Sequence, residues 1–349
     1  MSRPGRQPLE INLVGSVPLA DSESVFRTLA DGMGPRIKRL PDGETGPLRS
    51  KWILCQIPVF KENPAFDAAP PTGPLKYSVS HVGQLKPGIR PEEIRFDNLN
   101  YADWAVESYQ TFHRLKRAGV VAADCRFQVA LPTPYAVVNR LVDASGKAAV
   151  EPHYHRAMKR EVTKMLRAIP AAELALQIDV CQEIGIWEGM WKSFLEGGQA
   201  TLIERVADLA AVLPADAELG YHLCYGDFNH KHFLEPKNAE IMVDIINQLA
   251  LATRRRIDWV HMPVPRERAD DDYFRPLAKL HLPEETSLFL GLVHMTDGAE
   301  GSLRRIAVAR RHVKNFGIAT ECGWGRRASE SIRELIRLHV AVSDGAVSP

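Results

Sequence analysis

Leu219-Gly220-Tyr221-His222-Leu223-Cys224-Tyr225 is apolar almost throughout, yet it closes on a histidine and a cysteine two positions apart. Alternate side chains of an extended chain share a face, so His222 and Cys224 point the same way. A run this apolar, without polar alternation, suits a parallel strand buried on both faces. The same kind of run recurs at Ile11 to Val17, Ile37 to Leu40, Phe127 to Leu131, Leu174 to Val180, Ile257 to Val264, Leu288 to Met295 and Phe316 to Thr320. Segments with helical spacing lie between them: Ser22 to Ala30, Asp103 to Ala118, His155 to Ala168, Thr201 to Leu213, Asn238 to Ala252, Tyr273 to Leu280, Gly301 to Lys314 and Ser329 to Val342. Eight strands, most followed by a helix, predict an α/β chain folded as one (β/α)8 TIM barrel over residues 1–349. One connection breaks the alternation. Residues 46–100 exceed a βα loop and are rich in Pro and Gly. They read as an insertion after strand two over one barrel mouth, as a lid or as a packed excursion, with a short strand at Tyr77 to Val82.

Composition narrows the partners. The 349 residues are 45% hydrophobic and 25% charged, with a net charge of +1, so nothing draws the whole molecule to nucleic acid or to an acidic membrane. Despite Arg3 and Arg6, the stretch Ile11 to Val14 is too short for a signal peptide, and no run approaches the ~20 apolar residues of a membrane span. The five cysteines (Cys55, Cys125, Cys181, Cys224, Cys322) are odd in number and scattered, which fits a reducing compartment and a cytoplasmic protein. Nothing in the sequence specifies an oligomeric state.

Barrel chemistry sits where strands end, and nearly every strand here ends in a group that coordinates, ionises or hydrogen-bonds. Cys322 closes the last run and adds a second thiol to His222 and Cys224. Three N/S donors make a catalytic zinc set with one position open; the alternative is a buried cysteine pair beside a hydrogen-bonded histidine. His261, at the end of strand six, is a tentative fourth ligand, an outer partner, or a ring packed on Trp259. Asp179 ends a buried apolar run and needs a partner, either a structural Arg or helix N-terminus, or a ligand ammonium. Glu44 lies in a turn-like segment, and two carboxylates at one mouth suit a cationic amine. His294 is followed by Asp297, a carboxylate suited to setting its tautomer for acid/base work. Arg326 and Arg327 either receive an anion or cap the site. His230, His232 and Arg254 to Arg256 read as solvated. Cys55, Cys125 and Cys181 read as core, with Cys181 beside the expected pocket.

These residues form a recognisable series. Gly15-Ser16-Val17-Pro18, Asp42-Gly43-Glu44, Gln177-Ile178-Asp179, His222-Leu223-Cys224-Tyr225, Val293-His294 and Glu321-Cys322-Gly323 occur in this order. The series resembles the catalytic barrel of cobalamin-independent methionine synthase, within the wider group that includes uroporphyrinogen decarboxylase. The resemblance runs from about residue 11 to residue 340. It implies that His222, Cys224 and Cys322 bind Zn2+, that Glu44 and Asp179 grip the amino group of homocysteine, that Ser16 meets its carboxylate, and that His294 assists proton transfer at the methyl donor. Three features depart from the family. Pro263 stands where the family has a fourth, glutamate ligand; His261 is two residues earlier on the same face. One barrel is expected here, without the family's N-terminal barrel that helps bind polyglutamyl folate, an arrangement that resembles the short archaeal core enzymes, some of which take methyl from a corrinoid protein. Val180-Cys181 replaces the family's Glu-Pro, and the tryptophan expected near strand three for pterin stacking is missing.

The expectation is a zinc-dependent methyl- or alkyltransferase that activates a small thiol, by default homocysteine, with a folate donor or a corrinoid donor carried by a corrinoid protein. The three-ligand set also resembles epoxyalkane:coenzyme M transferases, so thiol addition to an epoxide, or cleavage of an aryl methyl ether, is the alternative reaction. A barrel that binds a ligand without turning it over is the third reading.

Overall fold

The structure is a computed structural model that describes residues 8–69, 82–227 and 231–346. In chain order it runs α1 (Ser22–Met33), β1 (Arg39–Pro41), α2 (Ile57–Glu62), β2 (Phe66–Ala69), β3 (Val82–Leu85), α3 (Tyr101–Arg117), β4 (Arg126–Pro132), α4 (Pro134–Leu141), α5 (Lys147–Ala168) and β5 (Leu174–Val180). Then come α6 (Ile184–Trp187), α7 (Gln199–Ala210), β6 (Glu218–Leu223), α8 (Glu240–Ala252), β7 (Trp259–Pro263), α9 (Asp271–Phe274), β8 (Ser287–Gly291), α10 (Gly298–Ala309), β9 (Gly317–Ile318) and α11 (Ile332–Gly345).

Seven strands form one curled parallel sheet in the order β1-β4-β5-β6-β7-β8-β9, an α/β arrangement consistent with a TIM-like barrel. Each central strand is buried on both faces, and the two faces do different work. Along β5, Leu174, Leu176, Ile178 and Val180 join the large core shared with the helices. Ala175 faces inward and packs with Trp259 of β7 and Phe289 of β8. Period two therefore persists inside a run that is apolar from end to end. Each leucine or isoleucine so buried contributes about 1.5–3 kcal/mol.

The expected first strand, Ile11 to Val17, is the main departure. It makes no ladder, only isolated parallel bridges from Ile11 to Ile318 and from Ser16 to Gly43. Inward-facing side chains supply the rest: Gln128 Nε2 donates to the carbonyls of Leu13 (2.7 Å) and Val14 (3.2 Å), and Gln177 Nε2 donates to Val14 (2.6 Å). Backbone acceptors in the interior must be satisfied, and here amides from β4 and β5 replace a ladder. Gly317 permits the approach at the other edge, because a Cβ there would lie 2.6 Å from the Glu10 carbonyl.

The insertion holds a run of 3-10 turns (Arg49–Gln56), then α2 and the antiparallel pair β2–β3. The strand expected at Tyr77 to Val82 falls largely on residues 77–81, outside the described residues; the strand that is described begins at Val82. Gly83 bridges to Val142 after α4, so this part is packed on the barrel wall. Helix α5 starts at Lys147, ahead of the expected His155, and carries Pro152 inside it. Arg255 is not solvated: it donates to the carbonyls of Pro214 (2.8 Å) and Ala217 (2.5 Å) at the foot of the sheet. Among the described residues no helix is long and apolar enough to cross a membrane.

Candidate metal centre

Parallel strands end together, so register decides which chemical groups meet. Asp179 of β5 pairs with His222 of β6, which pairs with His261 of β7. Cys224 lies one residue past β6, and its N–H donates to the Val180 carbonyl at 3.0 Å, which keeps the chain extended. Cys322 arrives on the segment after β9. His222, Cys224 and Cys322 place one ligand atom each within 4.8 Å of the others.

Two observations test whether this set suits a metal. A tetrahedral site with metal–sulfur bonds of about 2.3 Å has an edge of about 3.8 Å, and the Cys224 and Cys322 sulfurs stand 3.7 Å apart. The second concerns the histidine tautomers, which follow from the hydrogen-bond network. His261 Nε2 lies 2.9 Å from the Thr320 carbonyl, so it carries the proton. Its Nδ1 is then an acceptor and takes the Nδ1–H of His222 at 2.7 Å. His222 Nε2 is left with a bare lone pair, buried and without a hydrogen-bond partner. Burial, then the neighbouring His261, holds His222 well below the usual histidine range, and burial brings His261 down to about 4. Both rings are thus neutral, the form that ligates or orients a ligand.

This geometry corrects the fourth ligand. Both nitrogens of His261 are engaged away from the cluster, so it stands behind His222 and orients it. Pro263, the other position of interest, ends β7 with its carbonyl accepting from Tyr273 at 2.9 Å. Cys181 lies nearer. It lines one cavity with Cys224 and Cys322, and its thiol is the first cause holding the Cys224 thiol above its usual range; Cys322, held up likewise, answers first to Cys224.

One cavity of about 70 Å³ brings Ser16, Glu44 and Asp179 to the same place as His222, Cys224 and Cys322. Trp52, Cys181, Asp227 and Arg326 also line it. Asp179 Oδ1 accepts from Gln177 Nε2 (2.9 Å) and Oδ2 from Trp52 Nε1 (3.2 Å). Its pKa is raised to about 7 by burial, against the pull of these two donors. Glu44 is raised to about 8, first by burial and then by the charge on Asp179. The repulsion between the pair falls on whichever ionises second. Asp42 accepts the Glu44 N–H at 2.9 Å and pairs with Arg49 at 2.7 Å, which pins the turn. Ser16 is fixed by Trp324, whose N–H donates to the Ser16 carbonyl (2.7 Å), and by Gly325, whose N–H donates to its hydroxyl (3.2 Å). A Cβ on Gly325 would come within 2.8 Å of the Ser16 side chain, and one on Gly323 nearer still.

The acid/base residues are arranged differently from expectation. Asp297 does not serve His294; it takes the buried guanidinium of Arg305 with two bonds of 2.7 and 2.8 Å. The carboxylate on His294 is Glu321, 3.0 Å from Nδ1, while Nε2 faces the Val264 carbonyl at 3.0 Å. His232, read as solvated, has a side chain only 3% exposed and lies 3.3 Å from the other Glu321 oxygen and 3.0 Å from Glu235. Burial lowers the His232 pKa, but the two carboxylates outweigh it and raise it to about 9. Burial likewise disfavours the Glu321 anion, yet His232 and His294 bring its pKa well below the carboxylate range. His294 and Asp297 are outside the residues that line the cavity. His230 lies outside the described residues. Trp52 and the His232–Glu321–His294 array went unread because no spacing in the insertion or the 225–235 loop announces them; the acidic residue before Cys322 was the one available signal.

Comparison by sequence with family models and with curated proteins gives no match. Solved structures do share the fold. A B12-independent methionine synthase from Shewanella sp. W3-18-1, in complex with selenomethionine, superposes with a TM-score of 0.61 at 14% identity, over 97% of both chains. A putative vitamin-B12 independent methionine synthase from Listeria monocytogenes gives 0.55 at 14%, over 97% of this chain and 98% of that one. A methyltransferase from Methanosarcina mazei gives 0.55 at 12%, over 98% and 95%. At these identities the likeness shows the shared fold, a curled parallel sheet consistent with a TIM-like barrel.

Proposed function

We propose that this chain is a zinc-dependent methyl- or alkyltransferase that alkylates the sulfur of a small amine-bearing thiol, with homocysteine as the default acceptor. The fold is read as a (β/α)8 barrel whose first strand, the Ile11 to Val17 segment, joins the seven laddered strands through isolated bridges. One observation carries the reading: a partnerless His222 nitrogen and two thiols 3.7 Å apart share a cavity with two carboxylates, Asp179 buried and Glu44 half-buried. Bound by His222, Cys224 and Cys322, Zn2+ would lower the pKa of an incoming thiol and keep it nucleophilic at neutral pH. His261 holds the His222 ring in the ligating tautomer. Glu44 and Asp179 ionise as the substrate ammonium arrives between them, releasing protons and gaining an ion pair in place of mutual repulsion. Ser16 and Arg326 face the carboxylate end of the same molecule. Glu321, next to Cys322 in the chain, holds the Nδ1 of His294 at 3.0 Å, and His294 would assist proton transfer at the donor. A folate or a corrinoid supplies the alkyl group, the latter on a partner protein, and the setting is cytoplasmic.

Pro263 favours a second reading, in which a site with three protein ligands adds a thiol to an epoxide or cleaves an aryl methyl ether. Thiol consumption against panels of both electrophiles separates it from methyl transfer. The decisive experiment for either is metal content of wild type beside Cys224→Ser and Cys322→Ser, with homocysteine titrated into cobalt-substituted protein. One metal per chain, lost in both variants, and a thiolate-to-cobalt band that grows with homocysteine, is the expected result. A wild type that takes up no zinc on reconstitution refutes the zinc chemistry.

A further inference from the structure

Trp52 reaches the cavity from the insertion, not from a barrel strand. It interrupts the Arg49–Gln56 turns with φ 50° and ψ −123°, a left-handed conformation that is costly for a bulky residue, on the order of 1–3 kcal/mol. Such a conformation persists only when the surroundings fix it. Two contacts do so here. Trp52 Nε1 donates to Asp179 Oδ2 at 3.2 Å. Three residues earlier, Arg49 pairs with Asp42, whose other oxygen accepts the N–H of Glu44. One short stretch therefore touches both carboxylate-bearing segments.

We propose that Trp52 is a positioning residue that makes the cavity selective for a primary ammonium, by fixing the plane of the Asp179 carboxylate opposite Glu44. The inference rests on the function proposed above. Gln177 holds one Asp179 oxygen and is itself anchored to the Val14 carbonyl at 2.6 Å. Trp52 holds the other oxygen. Two donors on two oxygens stop rotation about the terminal torsion, which is otherwise broad. Each oxygen keeps a further lone pair, and these are the positions an ammonium would occupy. Without the indole N–H, one oxygen swings free and the ammonium loses a preformed acceptor. The insertion, whose described residues contribute nothing to the His222, Cys224 and Cys322 cluster, thereby decides which thiols are accepted.

The test uses full-length, zinc-loaded protein and two thiols of equal length, homocysteine and 4-mercaptobutanoate, the second lacking the amine. Binding of each is measured by calorimetry for wild type, Trp52→Phe, Asp179→Asn and the double variant, with zinc content and circular dichroism confirming the fold. Wild type prefers homocysteine. Trp52→Phe keeps the ring and loses the N–H, so that preference falls about tenfold (about 1.4 kcal/mol) while 4-mercaptobutanoate binds as before. In the Asp179→Asn background the Trp52 change adds nothing. Equal weakening of both thiols, or an unchanged preference, overturns the inference and leaves the proposed function standing. A wild type with no preference for the amine refutes the amine site itself, and the inference with it.

Discussion

Replacing Glu44 by Gln removes a half-buried negative charge while keeping the shape of the side chain. An ordinary glutamate ionises near 4.5, whereas burial and the Asp179 charge move Glu44 to about 8. A carboxyl raised in the folded state is held most comfortably while protonated. Its cost is absent below the unfolded value, grows as pH rises from about 4.5, and is complete above about 8. That window spans 8 minus 4.5, about 3.5 pH units at about 1.4 kcal/mol each, so the full cost is at most about 5 kcal/mol. For a chain of this length about 1 kcal/mol corresponds to roughly 1.5 °C in Tm, so Glu44→Gln gains up to roughly 7 °C at pH 9. The assay is thermal unfolding of wild type and variant, ligand-free, from pH 5 to pH 9 at one zinc concentration. Subtracting the two curves cancels the metal's own pH dependence. The difference is expected to be small at pH 5 and to climb to a plateau above pH 8. A flat difference, or one that favours wild type at high pH, refutes the claim that Glu44 waits for a cation. Added homocysteine at pH 8.5 should stabilise wild type more than the variant.

The remaining predictions address the groups around the cluster. His261→Phe leaves the His222 N–H without an acceptor, so zinc affinity measured against a chromogenic chelator is expected to fall about 10–100-fold; unchanged affinity would mean that His261 does not orient the ligand. Asp297→Asn removes the partner of buried Arg305, and is expected to destabilise the fold by at most about 3 kcal/mol while zinc content stays constant, which calorimetric unfolding and metal analysis check together. Glu321→Gln takes one of two carboxylates from His232, so its pKa, raised to about 9, should move back towards the ordinary histidine value of about 6.5 in an NMR titration. A histidine so raised contributes stability fully below about 6.5 and loses it as pH rises to about 9, so the variant's deficit is expected to shrink across that window.

The sequence by itself determined the layers and the face that His222 and Cys224 share. Runs such as Leu174 to Val180 are apolar over their whole length, and only a strand covered on both faces tolerates that. His222 and Cys224 share a face because extended chain repeats every two residues, a local rule that needs no knowledge of the fold. The tertiary structure decided the rest, because it depends on register and on contacts between segments far apart in the chain. Register set His261 beside His222, and the Thr320 carbonyl then turned it from a ligand into an orienting group. Asp297 was drawn to Arg305, eight residues along its own helix, while Glu321 reached His294 from the next strand end. Ile11 to Val17 carries a strand's composition but no ladder, because the amides of Gln128 and Gln177 satisfy its carbonyls from inside. Trp52 lies in a segment with no periodicity to read, and its meeting with Asp179 spans 127 residues of chain. Hydrophobic periodicity is written locally, but the partner of a buried polar group is chosen by whichever distant segment the fold brings within about 3 Å.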